Sequence, residues 1–398
     1  VKFLPQDQLE AFLAHLAESA IVVAPQRDQD GVLFFQPWEA GAEVEFEQLL
    51  TRQSPKDYVF RQTETYLKFG YEMKGKAAAE EEEAGGGKKG EAGAAEEAPP
   101  AEGEEPAHEV LQVEAVEDAP EQVIFGLRPC DARGYYQMDQ VFGGYGGFYY
   151  DPYYMAKREA TTLVALTCAQ PWSTCFCTAV YGSPSGTDGV DLLLTGIEGG
   201  FTAETVTERG ENLLGFGGFA DVGNGQADAA QTVKDEAFAA IDPPFEIEGV
   251  PQGLRDNFED PAWHDLHMRC ISCGTCTYVC PNCYCFNITD EMVENSGERV
   301  RTWDNCFNPG YTLETSGHNP REQKFARFRN RFSHKFSYYP EKYDSLLCSG
   351  CGRCIRYCPT KIDLREVIRT LGQPHPDQAA PAEDGEAAGV HAQTGEDL

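Results

Sequence analysis

The sequence has no long apolar run. No apolar run approaches the roughly 18 to 20 residues a spanning helix requires, and the longest are short pieces such as AIVVA, Ala20 to Ala24. The opening VKFLPQDQLEAFLAHL has no basic end followed by an apolar stretch and a small-residue cleavage site, so a cytoplasmic protein is expected. Basic residues are scarce, 32 Lys and Arg against 65 Asp and Glu, which argues against nucleic acid and anionic membranes as partners. Much of that imbalance is local: residues 77 to 121 hold 15 acidic and 2 basic side chains, and residues 373 to 398 hold 6 acidic and none basic. Hydrolytic frames are missing too, with no HExxH and no GxSxG. The glycine-rich GGYGGF (Gly143 to Phe148) and GFGGF (Gly215 to Phe219) have no Lys-Ser/Thr pair after them and read as loops. Carboxylates are too scattered to nominate a catalytic pair.

Cysteine, by contrast, is abundant. Fifteen thiols in a chain expected in a reducing compartment point to metal or redox chemistry rather than to disulfides. The sequence CISCGTCTYVCP places Cys270, Cys273, Cys276 and Cys280 in the spacing CxxCxxCxxxCP, and CSGCGRCIRYCP repeats it with Cys348, Cys351, Cys354 and Cys358. Three thiolates two residues apart can wrap three irons of one cubane from a single loop. The fourth, ahead of a proline, faces away and in two-cluster ferredoxins ligates the other cluster. The expected ligand sets are therefore Cys270, Cys273, Cys276 and Cys358 for one 4Fe-4S cluster, and Cys348, Cys351, Cys354 and Cys280 for a second. A pair of structural zinc sites is the alternative, but zinc needs neither the third and fourth cysteines at these intervals nor Pro281 and Pro359. Cys130, Cys168, Cys175 and Cys177 are a possible third site, for another 4Fe-4S cluster or zinc, set against simple burial of inert thiols. Cys283, Cys285 and Cys306 read as packing or supporting residues beside the first motif, and His264 and His267 as a cap or core contact.

Segment by segment, residues 1–74 and 120–245 read as one α+β module. Its predicted elements are a helix in DQLEAFLAHLAESA and strands at IVVAP, VLFFQPW, Val123 to Leu127, ATTLVAL and VDLLLTGIE. Residues 75–119 are Gly, Ala, Pro and Glu with little to bury and are expected to be a disordered acidic insertion, as is the tail 373–398. Residues 246–372 are expected to be an all-α dicluster domain. Sixty-seven residues separate Cys280 from Cys348, and the interval reads as helical. Within it Phe325, Phe328, Phe332 and Phe336 share one face, while Arg321, Lys324, Arg327, Arg329, Arg331 and Lys335 take much of the rest. Those cations are either solvated, or set to offset thiolate-bound clusters or to dock an acidic partner.

The two cysteine motifs, the long interval and the following IDLREVIRTL resemble helical-ferredoxin domains of heterodisulfide reductase and succinate dehydrogenase type proteins. SPKDYVFRQTETY, GLRPCDARG, CAQPWSTCFCTAVYGSP, CPNCYCFNITDE, RTWDNCFNPGYT and GHNPREQKFARFRNRFSHKF extend the resemblance over roughly residues 1 to 372. They look like the beta subunit of cytosolic NiFe sulfhydrogenase and the A subunit of anaerobic sulfite reductase. The resemblance implies an electron-transfer subunit of a cytoplasmic oxidoreductase complex in anaerobic metabolism. Its partners would be a flavin subunit that handles NAD(P) and a separate catalytic subunit of hydrogenase, sulfite reductase or heterodisulfide reductase type. The competing expectations are a free-standing iron-sulfur reductase whose N-terminal module binds flavin or substrate, and clusters that only brace the fold.

Overall fold

Three segments rich in branched aliphatic residues, QVIFGL, TTLVAL and LLLTGI, are hidden on both faces and form strands β6 (Gln122–Leu127), β7 (Thr161–Leu166) and β8 (Leu192–Ile197). Such near-continuous apolar runs suit parallel strands covered on both sides. The computed structural model, which describes residues 1–46, 50–74, 108–147 and 149–373, places them in one eight-stranded sheet. Strand β2 (Ile21–Arg27) runs parallel to β6, β6 to β7, and β7 to β8. Antiparallel strands complete both edges: β3 (Leu33–Pro37) on one side, then β9 (Gly200–Thr205), β1 (Lys2–Pro5) and the short β10 (Ala220–Asp221) on the other. Helix α1 (Leu9–Ala17) buries Phe12, Leu13 and Leu16 against one face. The crossover from β6 to β7 carries α2 (Pro129–Phe142) and α3 (Pro152–Glu159), which pack on the opposite face through Tyr135, Met138 and Tyr154.

The mixed helix and strand character of the N-terminal part matches expectation. The all-α expectation for the rest is corrected. After the first cysteine motif the chain forms a hairpin, β11 (Phe286–Val293) and β12 (Ser296–Trp303), turning at Glu294 with φ of +54°. β12 then pairs with β4 (Thr63–Lys74), and β4 with β5 (His108–Ala115), giving a second sheet in the order β11-β12-β4-β5. β5 lies within the stretch expected to be disordered, so that bound is corrected as well. Its side chains are mostly exposed, and pairing with β4 rather than burial holds it in place. Residues 75–107 of the expected insertion and 374–398 of the tail fall outside the described residues.

A buried ionic cluster fixes the second sheet to the first unit. The fully buried Arg301 on β12 donates from Nη2 to Glu64 Oε2 at 2.6 Å and from Nη1 to Asp151 Oδ2 at 2.7 Å, and Lys157 of α3 pairs with the same Glu64. The other C-terminal elements are helical: α4 (Val250–Asp256) and α5 (Ala262–His267) precede the first motif, α6 (Lys324–Ser333) follows the hairpin, and α7 (Leu364–Leu371) closes the fold. Phe328, Phe332 and Phe336 pack with Trp263, Leu364, Val367 and Ile368 in one core, the face that their spacing predicts. Among the described residues, no helix is long and apolar enough to cross a membrane.

Candidate metal centre

Both cysteine motifs contain a glycine after the second cysteine, and each needs it. Gly274 and Gly352 take φ of +73° and +71° and start the short helices Thr275–Tyr278 and Arg353–Arg356. A Cβ on Gly352 would sit 2.4 Å from Thr174 O, and one on Gly274 would meet the Asn305 side chain at 2.9 Å. The left-handed turn lets the loop curl so that three thiols face one side. The two short helices touch, which sets the motifs side by side.

Cys270, Cys273, Cys276 and Cys358 line one cavity of about 40 Å³, together with Cys354, and Phe307, Phe328, Phe332 and Ile362 supply its apolar wall. Backbone N–H groups already donate to its sulfurs, Ser272 N to Cys270 Sγ at 3.4 Å and Ile362 N to Cys358 Sγ at 3.3 Å. Four thiols with N–H donors in an apolar cradle are a soft, anion-stabilising donor set, and they fit an iron-sulfur cubane. Burial pushes the Cys276 thiol up to about 11 and the Cys354 thiol up to about 12, so metal binding must displace their protons.

Of the second expected set, Cys348, Cys351 and Cys354 come from one loop, and Lys335 lies between Cys280 and the backbone just ahead of Cys348. Lys335 Nζ lies 3.5 Å from Cys280 Sγ and donates to Leu347 O at 2.9 Å and to Asn282 Oδ1 at 3.0 Å. Gln137 of α2 joins the same group, accepting from Asn282 Nδ2 at 2.5 Å and donating to Cys348 O at 3.3 Å.

The basic helix faces this centre. Arg327, Arg331 and Lys335, four residues apart, are all buried, which removes the reading of these three as solvated charges. Arg331 donates to Cys283 Sγ at 3.4 Å and to Cys276 O at 2.8 Å. Burial alone would lower the Lys335 and Arg331 pKa values, but the neighbouring thiolates outweigh it and both are raised. The sequence reading missed a fourth cation. Lys56, from SPKDY, is buried under the first motif, donates to Cys283 O at 2.8 Å and stacks over the Trp303 ring at 4.2 Å; its pKa is lowered by burial. A single lysine in an irregular segment carries no periodic signal that would have found it.

Cys283 lies against the first motif through Arg331, which donates to its Sγ, and Cys280 Sγ donates to Asn282 Oδ1 at 2.7 Å, while Cys306 is buried in the same core with Cys285 packed against it. His264 stacks on Phe325 at 4.1 Å and His267 Nδ1 meets Trp263 O at 3.2 Å, the packing role expected of them.

Cys130, Cys168, Cys175 and Cys177 all line one small cavity of about 20 Å³, and Cys351 of the second motif lines it too. The loop bearing them presses on that motif. Phe176 N donates to Gly350 O at 2.8 Å, Cys175 Sγ to Cys351 O at 3.6 Å, and a Cβ on Gly350 would lie 2.4 Å from Cys177 Cα. Burial pushes the Cys175 and Cys177 thiols up to about 12. Among the described residues, no group of three or more His, Cys, Asp or Glu is arranged to hold a single metal ion.

Comparison with known proteins agrees with this geometry. The 4Fe-4S dicluster domain family matches residues 269–362, which contain both motifs. Sulfhydrogenase 2 subunit beta of Pyrococcus furiosus is 30% identical over 249 residues, covering 62% of this chain and 72% of the relative. No solved structure matches.

Proposed function

This chain belongs to the sulfhydrogenase beta-subunit family of iron-sulfur proteins, and from that premise we propose that it is the electron-carrying subunit of a hydrogenase-type complex. In this reading it relays electrons between a flavin subunit that handles NAD(P) and a separate catalytic subunit. The observation that carries the reading is the contact between the two motif helices, with Cys276 and Cys354 on one cavity and Lys335 between Cys280 and the backbone just ahead of Cys348. Adjacent sites serve a relay, whereas bracing a fold needs one.

Cys270, Cys273, Cys276 and Cys358 would hold one 4Fe-4S cluster, and Cys348, Cys351, Cys354 and Cys280 the second. Such clusters, when bound, supply reversible one-electron storage over a range of about -700 to +450 mV. The chain's own residues then set where in that range they fall. Arg331, Lys335 and Lys56 place buried positive charge against the thiolates, which favours the reduced state, and the phenylalanine wall keeps water out. Cys273 is exposed, with the exposed Met268 and Ile271 beside it, which suits electron entry or exit at that edge. Cys130, Cys168, Cys175 and Cys177 form a candidate third metal site next to the second motif, for a cubane or zinc.

A second reading, a free-standing reductase, draws on one observation. A cleft of about 660 Å³ lies at the carboxyl ends of the parallel strands, lined by Arg27, Arg128, Thr167 and Gln170, and such edges take ligands in α/β sheets. Anaerobically purified full-length protein decides between the two. The relay reading expects about eight iron atoms per chain or more, reversible reduction by a low-potential donor, and no turnover of hydrogen, sulfite or NADH alone. Cys358→Ser should lower iron by about four. Stoichiometric flavin with autonomous turnover selects the second reading.

A further inference from the structure

On the far side of Cys130 and Cys177 from the thiol-lined cavity lies a separate cleft of about 250 Å³. Its floor is the first turns of α2, which contribute Pro129, Cys130 and Arg133. Arg133 is 8% exposed, yet its Nε and Nη1 have no hydrogen-bond acceptor, and the hydroxyl of Ser349, 2% exposed and lining the same cleft, has no partner either. The one carboxylate near the guanidinium belongs to Asp188, half-exposed at the rim, with Oδ2 at 3.4 Å from Nε. Burying such donors without acceptors is unfavourable. The fold nevertheless holds the guanidinium there. Gly182, whose added Cβ would lie 2.8 Å from Nη1, leaves the room it needs.

We propose that this cleft is a binding site for a small oxyanion, carboxylate or tetrahedral, held by Arg133 and Ser349 beside Cys130 and Cys177. The guanidinium fork matches either geometry with charge-assisted hydrogen bonds. The N-terminal end of α2, a helix of 14 residues, adds its positive pole to the same cleft. Asp188 opposes an anion, so it limits affinity, and its place at the rim lets the side chain turn to solvent when the site fills. The site stands whether or not the neighbouring thiols hold a metal.

Isothermal titration of the full-length, anaerobically prepared protein with sodium sulfate, and separately with sodium acetate, tests it. Saturable binding of one anion per chain is expected, with the better of the two salts identifying the preferred geometry. Arg133→Gln should weaken it at least ~10-fold. Asp188→Asn, a change at an exposed rim that leaves the core intact, should tighten binding several-fold. Sulfate and acetate that both give no saturable heat, or affinities unchanged in Arg133→Gln and in Asp188→Asn, overturn the proposal. Iron content, measured on the same samples, reports on the relay reading independently.

Discussion

Arg353 lies inside the second cysteine motif, between Cys351 and Cys354, and is fully buried. Its guanidinium meets Asp131 of α2 fork to fork, Nη1 to Oδ1 at 2.5 Å and Nη2 to Oδ2 at 3.1 Å, while Nε donates to Thr51 O at 2.9 Å. Neither charge reaches water. Burial acts to lower the arginine's pKa, but Asp131 and the nearby thiolates more than compensate and it is raised. Asp131→Asn therefore leaves a buried cation uncompensated, at a cost of about 3–5 kcal/mol. Arg353→Met leaves the matching buried anion, with a similar penalty. The double variant Asp131→Asn/Arg353→Met removes both charges and should recover about 2–3 kcal/mol of the summed loss, since the two groups are in contact. A loss of 3 kcal/mol corresponds to roughly a 100-fold change in an equilibrium. The assay is anaerobic denaturant unfolding, read with the rate at which visible cluster absorption bleaches. An Asp131→Asn protein with the unfolding midpoint and bleaching rate of the parent, or strictly additive single and double variants, would refute the account of this pair as the tie between motif and N-terminal unit.

Removing the ammonium beside Cys280 in Lys335→Met should lower a cluster midpoint potential by on the order of 100 mV, because a unit charge at this range is worth a few kcal/mol at an effective dielectric near 20; an unchanged redox titration counts against charge compensation by the helix. His334 is held neutral, its pKa pushed down to about 4 mainly by burial, so the unfolded state takes up its proton first as pH falls. Stability should drop by ~3 kcal/mol as pH falls from about 6.5 to about 4, and His334→Gln should flatten that part of the profile; equal slopes in both proteins would show that other groups carry it. Cys175→Ser should reduce total metal by about four iron atoms if the N-terminal thiols hold a cubane, or by about one zinc, and undiminished metal leaves them as packed thiols.

The parts that the sequence made legible are those with strong local rules. The two motifs carry their chemistry in their spacing, the phenylalanine face of Lys324–Ser333 shows at helical period, and β6 to β8 announce themselves as apolar runs. The second sheet was hidden for a physical reason. FNITDEMV and HEVLQVEA are exposed along most of their length, so they show little of the burial pattern that marks a strand, and the pairing that joins the two hairpins, β12 with β4, links segments far apart in sequence. The buried cations were ambiguous because Arg331 and Lys335 follow the same helical period as solvated residues would. Only the thiols they face distinguish them. Arg353 and Asp131 stand within quoted motifs, but a pairing across 222 positions leaves no mark on either segment.

Because β12 is hydrogen-bonded to β4, the polypeptide is interlaced rather than strung as two beads. A fragment consisting of the matched residues 269–362 would part from Lys56, Asp131 and Gln137, leaving Arg353 without its counter-ion and the hairpin with a bare edge. During synthesis, the supporting shell of the first thiol loop cannot close until the ribosome has passed Trp303. Closing that shell is thereby tied to synthesis of the β11-β12 hairpin, and dissecting the protein into a portable electron carrier would require rebuilding that borrowed wall.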